Sequence, residues 1–424
     1  MYGRGNELKI IHMLNQLSNI KKLFFLGIAV ASTKLMLLLF AYFFDAETYN
    51  QFNQIYYTAS LMILFGSLGF NIAVTRVNMT LTKVFAAVAI NTVLVYMFLQ
   101  IISVPFNNLF EITSIHIYSI FISISGIFVF QLLFSGRYKD YVLLTILYSA
   151  LHLLIIPVII FLHANLFTLM PLVAVTWFLV GIPKYIKHLD AKPANLKQFY
   201  KIGLSAFVIN SAVSLALAAD KYFVNHFFSL EVANSYTFAW GLTAPMFYIG
   251  VIIEQFLFSE ANPSKSNILK RGLVLSTALI ILYAFAILAI VNFFPNLLPA
   301  TVSYDYVLKI SSLMIAGYSL YVIFHFPVNA YLFKSLGIEK QKSISIIFSV
   351  IITAFLILYI IIMQGLIEIN YYWLLIITWS YIFTLLIAKV IIMFRKETAE
   401  ESFKPIVEVT NLVSQRADQP PAET

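Results

Sequence analysis

Ionisable side chains lie within, or at the ends of, long apolar runs of this 424-residue chain, among them Lys34, Arg76, Asp220, Lys221, Glu254, Lys309 and Lys389. A charge at the centre of a bilayer costs at least ~2.5–3.5 kcal/mol, so such a group faces a bundle interior or a wet cavity. Lys34 stands near the middle of the first run. On a helical period it shares a face with Gly27, Ala31 and Ala41. Small residues beside one lysine describe a face turned toward other helices. The chemistry available to Lys34 is contact with an anion or pairing with a carboxylate elsewhere in the fold. Asp220 and Lys221 are sequence neighbours, so on a helix they point ~100° apart and do not face one partner squarely. Lys221 shares a face with Asn210 and Ser214, and Asp220 lies over Ala216. The two either serve a cavity or form a local ion pair closing the external side.

Arg76 ends the second run on one face with Gly66, Gly69 and Ala73. It could meet a phosphate at an inner entrance or anchor the helix at the membrane surface. Glu254 lies below Thr243 and Gly250. A carboxylate there suits ion or proton coupling, or a gate contact with a basic residue. Lys309 and Lys389 stand near run ends and read as anchors. There are no cysteines. The seven histidines are scattered without HxxxH or HExxH spacing, so neither a metal site nor a cofactor is expected. Phosphate loops, nucleophile elbows and dinucleotide fingerprints are absent, and the loops are too short for a soluble catalytic domain. A transporter is expected rather than an enzyme.

The elements that would hold these residues follow from composition. Of the residues, 61% are apolar and 11% charged, against about 45–50% and 25% in soluble domains. Mean hydropathy is +0.89. This excludes a soluble globular enzyme and a disordered chain. The apolar runs are about 20 residues long, the length of a helix crossing a ~30 Å hydrocarbon core. Strands of alternating polarity are missing, so a polytopic all-α membrane protein is predicted. Twelve spans are expected, at 23–44, 55–75, 84–106, 115–135, 142–163, 165–183, 202–224, 232–258, 271–294, 306–333, 344–364 and 372–394. The basic first 22 residues and the lack of a small-residue cleavage site make the first run a retained span.

With the N-terminus in the cytoplasm, all of the 27 Lys and Arg except Lys34, Lys221, Lys309 and Lys389 fall in inside segments. External loops carry only acidic charge, including Asp45, Glu47 and Glu231. Both termini are therefore expected in the cytoplasm. The net charge of +8 reads as a topology signal, not as nucleic-acid binding. The basic segment 184–201 divides the chain into an N-terminal lobe (1–183) and a C-terminal lobe (202–394). The polar tail, 395–424, is expected to be disordered. A weak repeat supports the division. At an offset of 184, FFDAETYNQF (43–52) lies over FFSLEVANSY (227–236), matching Phe43, Phe44, Glu47 and Asn50 to Phe227, Phe228, Glu231 and Asn234. Duplicated helical bundles around a central pathway are a transporter architecture.

Three segments carry a family resemblance: FFLGIAVASTKLMLLLFAYFFDAETYNQFNQIYY at 24–57, GSLGFNIAVTR at 66–76 and ALAADKYFVNHFFSLEVANSYTFAWGL at 216–242. The chain resembles the Wzx-type O-antigen flippases of the multidrug/oligosaccharidyl-lipid/polysaccharide (MOP) exporter superfamily. It departs from them at 46–50, where the family often has a Gly after the Tyr. The resemblance implies two six-helix lobes forming a V around a cationic cavity in the bacterial inner membrane. It implies a substrate of undecaprenyl diphosphate carrying an oligosaccharide, moved from the inner to the outer leaflet. A coupling ion (H+ or Na+), a polysaccharide polymerase and a chain-length regulator are the further partners it suggests, besides the lipid bilayer. On this reading Arg76 serves the entrance, Lys34 the mid-membrane diphosphate and Lys221 the exit, with Asp220 and Glu254 for gating or coupling. A drug or cation antiporter of the same superfamily is the alternative, although a cationic drug would want an acidic cavity. A membrane oligosaccharide polymerase fits less well, because the external loops are short and hold no Arg.

Overall fold

The computed structural model describes residues 24, 27–29, 31–70, 73, 81–102, 109–134, 137–186, 196–210, 212–250, 253, 265–335, 338–363 and 370–394. Among them every regular element is a helix. The first helix is α1 (Gly27–Phe43). It is followed by α2 (Ala46–Ser67), α3 (Leu81–Ile102), α4 (Leu109–Phe134), α5 (Tyr138–Leu153), α6 (Ile155–Leu162) and α7 (Leu166–Ile186). Then come α8 (Leu196–Asn210), α9 (Ala212–Phe227), α10 (Leu230–Thr243), α11 (Lys265–Phe293), α12 (Tyr304–Ser335), α13 (Ile338–Met363) and α14 (Tyr371–Phe394). Among the described residues, five stretches are long and apolar enough to cross a membrane: Phe110–Leu132, Lys139–Leu162, Lys270–Phe293, Tyr304–Val328 and Tyr371–Ile391. Shorter apolar helices lie at Gly27–Phe43, Thr82–Met97, Leu166–Gly181 and Ile346–Ile362.

Two expectations from hydropathy need correction. Residues 45–54 were expected as an external loop before a span at 55–75. Instead α2 begins at Ala46, because the Asp45 carboxylate caps it. Asp45 Oδ1 accepts from the Thr48 amide at 2.8 Å and Oδ2 from the Thr48 hydroxyl at 2.9 Å. The helix ends at Ser67, where Leu68 (φ 39°) and Gly69 (φ 68°) turn left-handed. The predicted linker 184–201 is also shortened by helix at both ends, since α7 runs to Ile186 and α8 starts at Leu196.

Prolines set the breaks. Pro157 leaves the Leu153 carbonyl without its helical donor, and α5 gives way to α6 at Leu154. Pro245 follows the end of α10 in the same way, and 245–250 continues as helix.

The repeat has a structural counterpart. α1 ends at Phe43 and α2 starts at Ala46; α9 ends at Phe227 and α10 starts at Leu230. Both pairs keep the 184 offset. So do the junction hydrogen bonds, Phe44 N to Phe40 O (3.1 Å) with Phe228 N to Val224 O (3.2 Å), and Tyr49 N to Asp45 O with Ala233 N to Ser229 O (both 2.9 Å). The copies differ at the cap, since Ser229 makes no side-chain cap bond.

The core runs between α2 and α10. α2 packs on α3 and α4 and also on α9 and α10, so the two sequence halves meet along it. α10 packs on α2, α9, α11 and α12, and every residue from Val232 to Gly241 is buried. A helix buried on all sides has no lipid face, and its polar groups must find partners in protein.

Candidate functional site

Three charges, Lys34, Asp220 and Lys221, gather around α10. Asp220 and Lys221, near the middle of α9, are fully buried. Neighbours on a helix diverge, yet the long lysine stem folds back. Lys221 Nζ reaches Asp220 Oδ1 at 2.9 Å and also donates to the Leu217 carbonyl. The second carboxylate oxygen, Oδ2, accepts from the Tyr236 hydroxyl of α10 at 2.8 Å. One turn further along α10, the Trp240 indole lies under the same ammonium, 3.7 Å from Nζ to the ring centroid. A desolvated cation over an indole face is stabilised by the ring quadrupole.

Lys34 approaches the same indole from α1. Its Nζ stands 5.6 Å from the Trp240 centroid and 5.7 Å from that of Tyr248. Among the described residues Lys34 forms no ion pair. It lines a cavity of about 570 Å³ with Ala31, Leu38, Gly241, Pro245 and Tyr283. α1 and α10 come close here through Gly241, where a Cβ would meet Leu38 Cδ2 at 2.8 Å. Tyr283 of α11 closes the far wall and donates to the Leu242 carbonyl at 2.9 Å. Two ammonium groups thus approach one indole beside an apolar cavity, and the nearby carboxylate is occupied by Lys221 and Tyr236.

At the outward end expected from charge bias, side chains of one half bond to the backbone of the other. Asn234 donates to Ala46 O (2.9 Å), Gln54 to Asn225 O (2.8 Å) and Thr301 to Ala41 O (2.8 Å). Tyr42 donates to Leu297 O at 2.5 Å. At the opposite end the Tyr200 hydroxyl meets Asn91 Oδ1 at 3.3 Å. A Cβ on Gly203 would stand 2.8 Å from Leu68 O.

No family model and no curated protein matches the chain. It is similar to a solved structure described as the inward-facing conformation of a multidrug resistance MATE family transporter of the MOP superfamily. The two are 12% identical with a TM-score of 0.45, over 94% of this chain and 96% of that one.

The structure therefore gathers Lys34, Asp220 and Lys221. Arg76 and Glu254 lie outside the described residues, as does the tail 395–424. The polar stripe expected through Asn210, Ser214 and Lys221 does not form. Ser214 is exposed while Lys221 is buried, so the two do not share surroundings. Lys309 is exposed. Lys389, expected as a surface anchor, is buried and stands 5.5 Å from the Phe348 ring centroid. α13 covers it, which its position near the end of α14 does not reveal. Trp240 and Tyr236 carry the site and were not singled out from sequence. Their one signal is the four-residue spacing on the helix that follows the Asp-Lys pair.

Proposed function

We propose that this chain is a membrane transporter, a flippase carrying an undecaprenyl-diphosphate-linked oligosaccharide from the inner to the outer leaflet of the cytoplasmic membrane. The observation that carries the reading is the pair of ammonium groups, Lys34 and Lys221, on one indole beside a cavity. A diphosphate cannot cross hydrocarbon bare, because unpaired buried charge costs several kcal/mol even after relaxation. Lysines in a protein-walled cavity replace its water. The apolar wall suits the lipid part, and Trp240, Tyr248 and Tyr283 offer rings on which sugars can stack.

Lys34 is the first anion contact, since no carboxylate neutralises it among the described residues. Lys221 is the second and becomes available as the substrate competes with Asp220. Asp220 is then a gate that holds Lys221 until an anion arrives. Twelve spans in two six-helix lobes, with both termini in the cytoplasm, complete the architecture. Alternating access breaks the backbone-directed bonds at one end while the other stays closed.

Gene deletion followed by lipid analysis tests this. Lipid-linked oligosaccharide should accumulate in the inner leaflet, and the wild-type gene but not Lys34→Ala should clear it. Accumulation in the outer leaflet would point instead to polymerisation or ligation. Drug hypersensitivity with no lipid accumulation would favour the antiporter.

A further inference from the structure

The cavity beside Lys34 opens sideways. Its walls are α1 and α11, and its floor is α10. Ile28, Ala31 and Leu35 line it from α1, and Tyr283, Ala286 and Ile290 from α11. Each set follows the i, i+3, i+7 spacing of one helical stripe, so the two stripes border a single cleft. With Gly241 on the floor, the small side chains Ala31 and Ala286 leave the space that larger ones would fill.

The same residues reach the outer surface of the bundle. Leu35 is 54% exposed, Ile290 47% and Ile28 38%. Beside the mouth, Ile281 and Phe285 of α11 are more exposed still. They belong to Lys270–Phe293, a stretch long and apolar enough to cross a membrane, so in a bilayer the mouth meets hydrocarbon. The outward end of the cleft is tied. The Tyr42 hydroxyl donates to Leu297 O and the Thr301 hydroxyl to Ala41 O, which holds the end of α1 to the segment after α11. Lys34 lies eight residues before Tyr42, ~12 Å along the helix.

An apolar cavity does not hold water. One that opens on a bilayer fills with a hydrocarbon chain. Filling alone selects no lipid, because lipid tails are as apolar as the wall. Selection comes from the Lys34 ammonium, the charge on the cavity wall. Its depth decides which lipid. A resident phospholipid keeps its headgroup at the membrane surface, ~15 Å from the bilayer centre. Lys34 stands near the middle of its apolar run, where an anion arrives only with a lipid in transit. Resting on the transport reading, we propose that the α1–α11 cleft is the side entrance for the lipid tail of the substrate. The prenyl chain of a polyprenyl diphosphate lies between α1 and α11 while its diphosphate meets Lys34.

Photolabelling of the full chain in phosphatidylcholine nanodiscs tests this. The probe is undecaprenyl diphosphate with a diazirine on its isoprenoid chain, and adducts are mapped by mass spectrometry. They should fall within 28–38 and 283–290. Unlabelled undecaprenyl diphosphate should remove them, and phosphatidylglycerol should not. Ala286→Trp fills the cleft from an exposed position, so it should lose the adducts, lose export and keep its melting temperature. Phe285→Trp points ~100° away on the same helix and should keep all three. A hydrogen bond to a charged group is worth about ten- to hundredfold in affinity, so Lys34→Ala should weaken competition by undecaprenyl diphosphate by that factor. Photoreactive undecaprenol, which lacks the diphosphate, should label wild type and Lys34→Ala alike. Adducts as strong around Phe285 as in the cleft, or labelling that survives Ala286→Trp, would overturn the proposal. Equal competition by phosphatidylglycerol would also overturn it and make the cleft a seat for bilayer phospholipid. If Ala286→Trp does not fold, Ala31→Phe decides from the opposite wall. Labelling needs no transport, so the two readings fail separately. A labelled cleft without oligosaccharide-lipid accumulation on gene deletion sinks the transport reading, and accumulation with an unlabelled cleft sinks this proposal alone.

Discussion

Asp220→Ala isolates what the buried pair does. It leaves Lys221, 1% exposed, with the Leu217 carbonyl and the Trp240 ring but no counter-charge. Removing one member of a buried pair costs about 3–5 kcal/mol. The Tyr236 hydroxyl loses its acceptor as well, which adds about 1–3 kcal/mol. Against a whole-protein stability of about 5–15 kcal/mol this is a severe loss, so the variant should reach the membrane in small amounts and melt well below wild type in detergent. Tyr236→Phe removes one hydrogen bond to a charged group, for about 1.5–3 kcal/mol. The double variant Asp220→Leu with Lys221→Met removes both charges and keeps apolar volume. It should regain the cost of the stranded ammonium, because well-packed apolar replacements of buried pairs are often neutral, and keep only the about 1–3 kcal/mol lost with the Tyr236 acceptor. If Lys221 also contacts substrate, the stable double variant exports nothing. Melting temperature, abundance and surface polysaccharide are measured on all four proteins. A wild-type melting temperature for Asp220→Ala refutes the paired, buried geometry, and wild-type export by the double variant refutes the transport role of Lys221.

Other perturbations separate the neighbouring contacts. Lys34→Ala should abolish export while abundance stays near wild type, since no carboxylate is stranded, and Lys34→Arg should retain part of the activity because its planar head is bulkier; abundance and export measured together check both. Trp240→Leu removes the ring that both ammonium groups approach, worth about 1–2 kcal/mol for the desolvated Lys221 and less for Lys34, and export and melting temperature measured together should both fall. At the start of α2 the Thr48 amide holds the Asp45 carboxyl below the usual carboxylate range. The ionised cap therefore contributes fully above that range and fades as the pH falls through the lowered value. Asp45→Ala should cost about 0.5–2 kcal/mol near neutral pH. Asp45→Asn should lose less and melt with less acid dependence, which melting curves across pH would show.

Sequence carried the helical class because hydrocarbon leaves no alternative for an apolar backbone other than a closed barrel. It carried the repeat because Phe43 to Asn50 and Phe227 to Asn234 recur at one offset, and the helix ends follow it. It missed the start of α2 because AETYNQ is polar by composition. The segment is held by the Asp45 cap and by Asn234 of the other half, and hydropathy reads neither contact. It singled out Lys34, Asp220 and Lys221 from the cost of burying charge, and the structure brings the three near one indole. Which residues they meet depends on where α1 and α10 cross, and that depends on Gly241 and Leu38 fitting together. Trp240 is one of four tryptophans in a chain rich in aromatics, so composition had no means of marking it.

The unequal partnering of the two lysines gives the site a direction. Lys221 has Asp220, the Leu217 carbonyl and the near face of Trp240, whereas Lys34 has only distant rings and the cavity. On the proposed reading, an arriving anion gains most at Lys34, which has no ion pair to break among the described residues. To gain Lys221 as well, it must displace Asp220, and the freed carboxylate keeps Tyr236 on α10. α9 and α10 meet α2 at the seam where Asn234 and Gln54 bond to backbone across the halves. A change in the Asp220–Tyr236 link therefore lies within about a turn and a half of the contacts at that end. On the proposed reading, binding and opening are coupled through α9 and α10, the two adjacent helices that hold both the site and the seam.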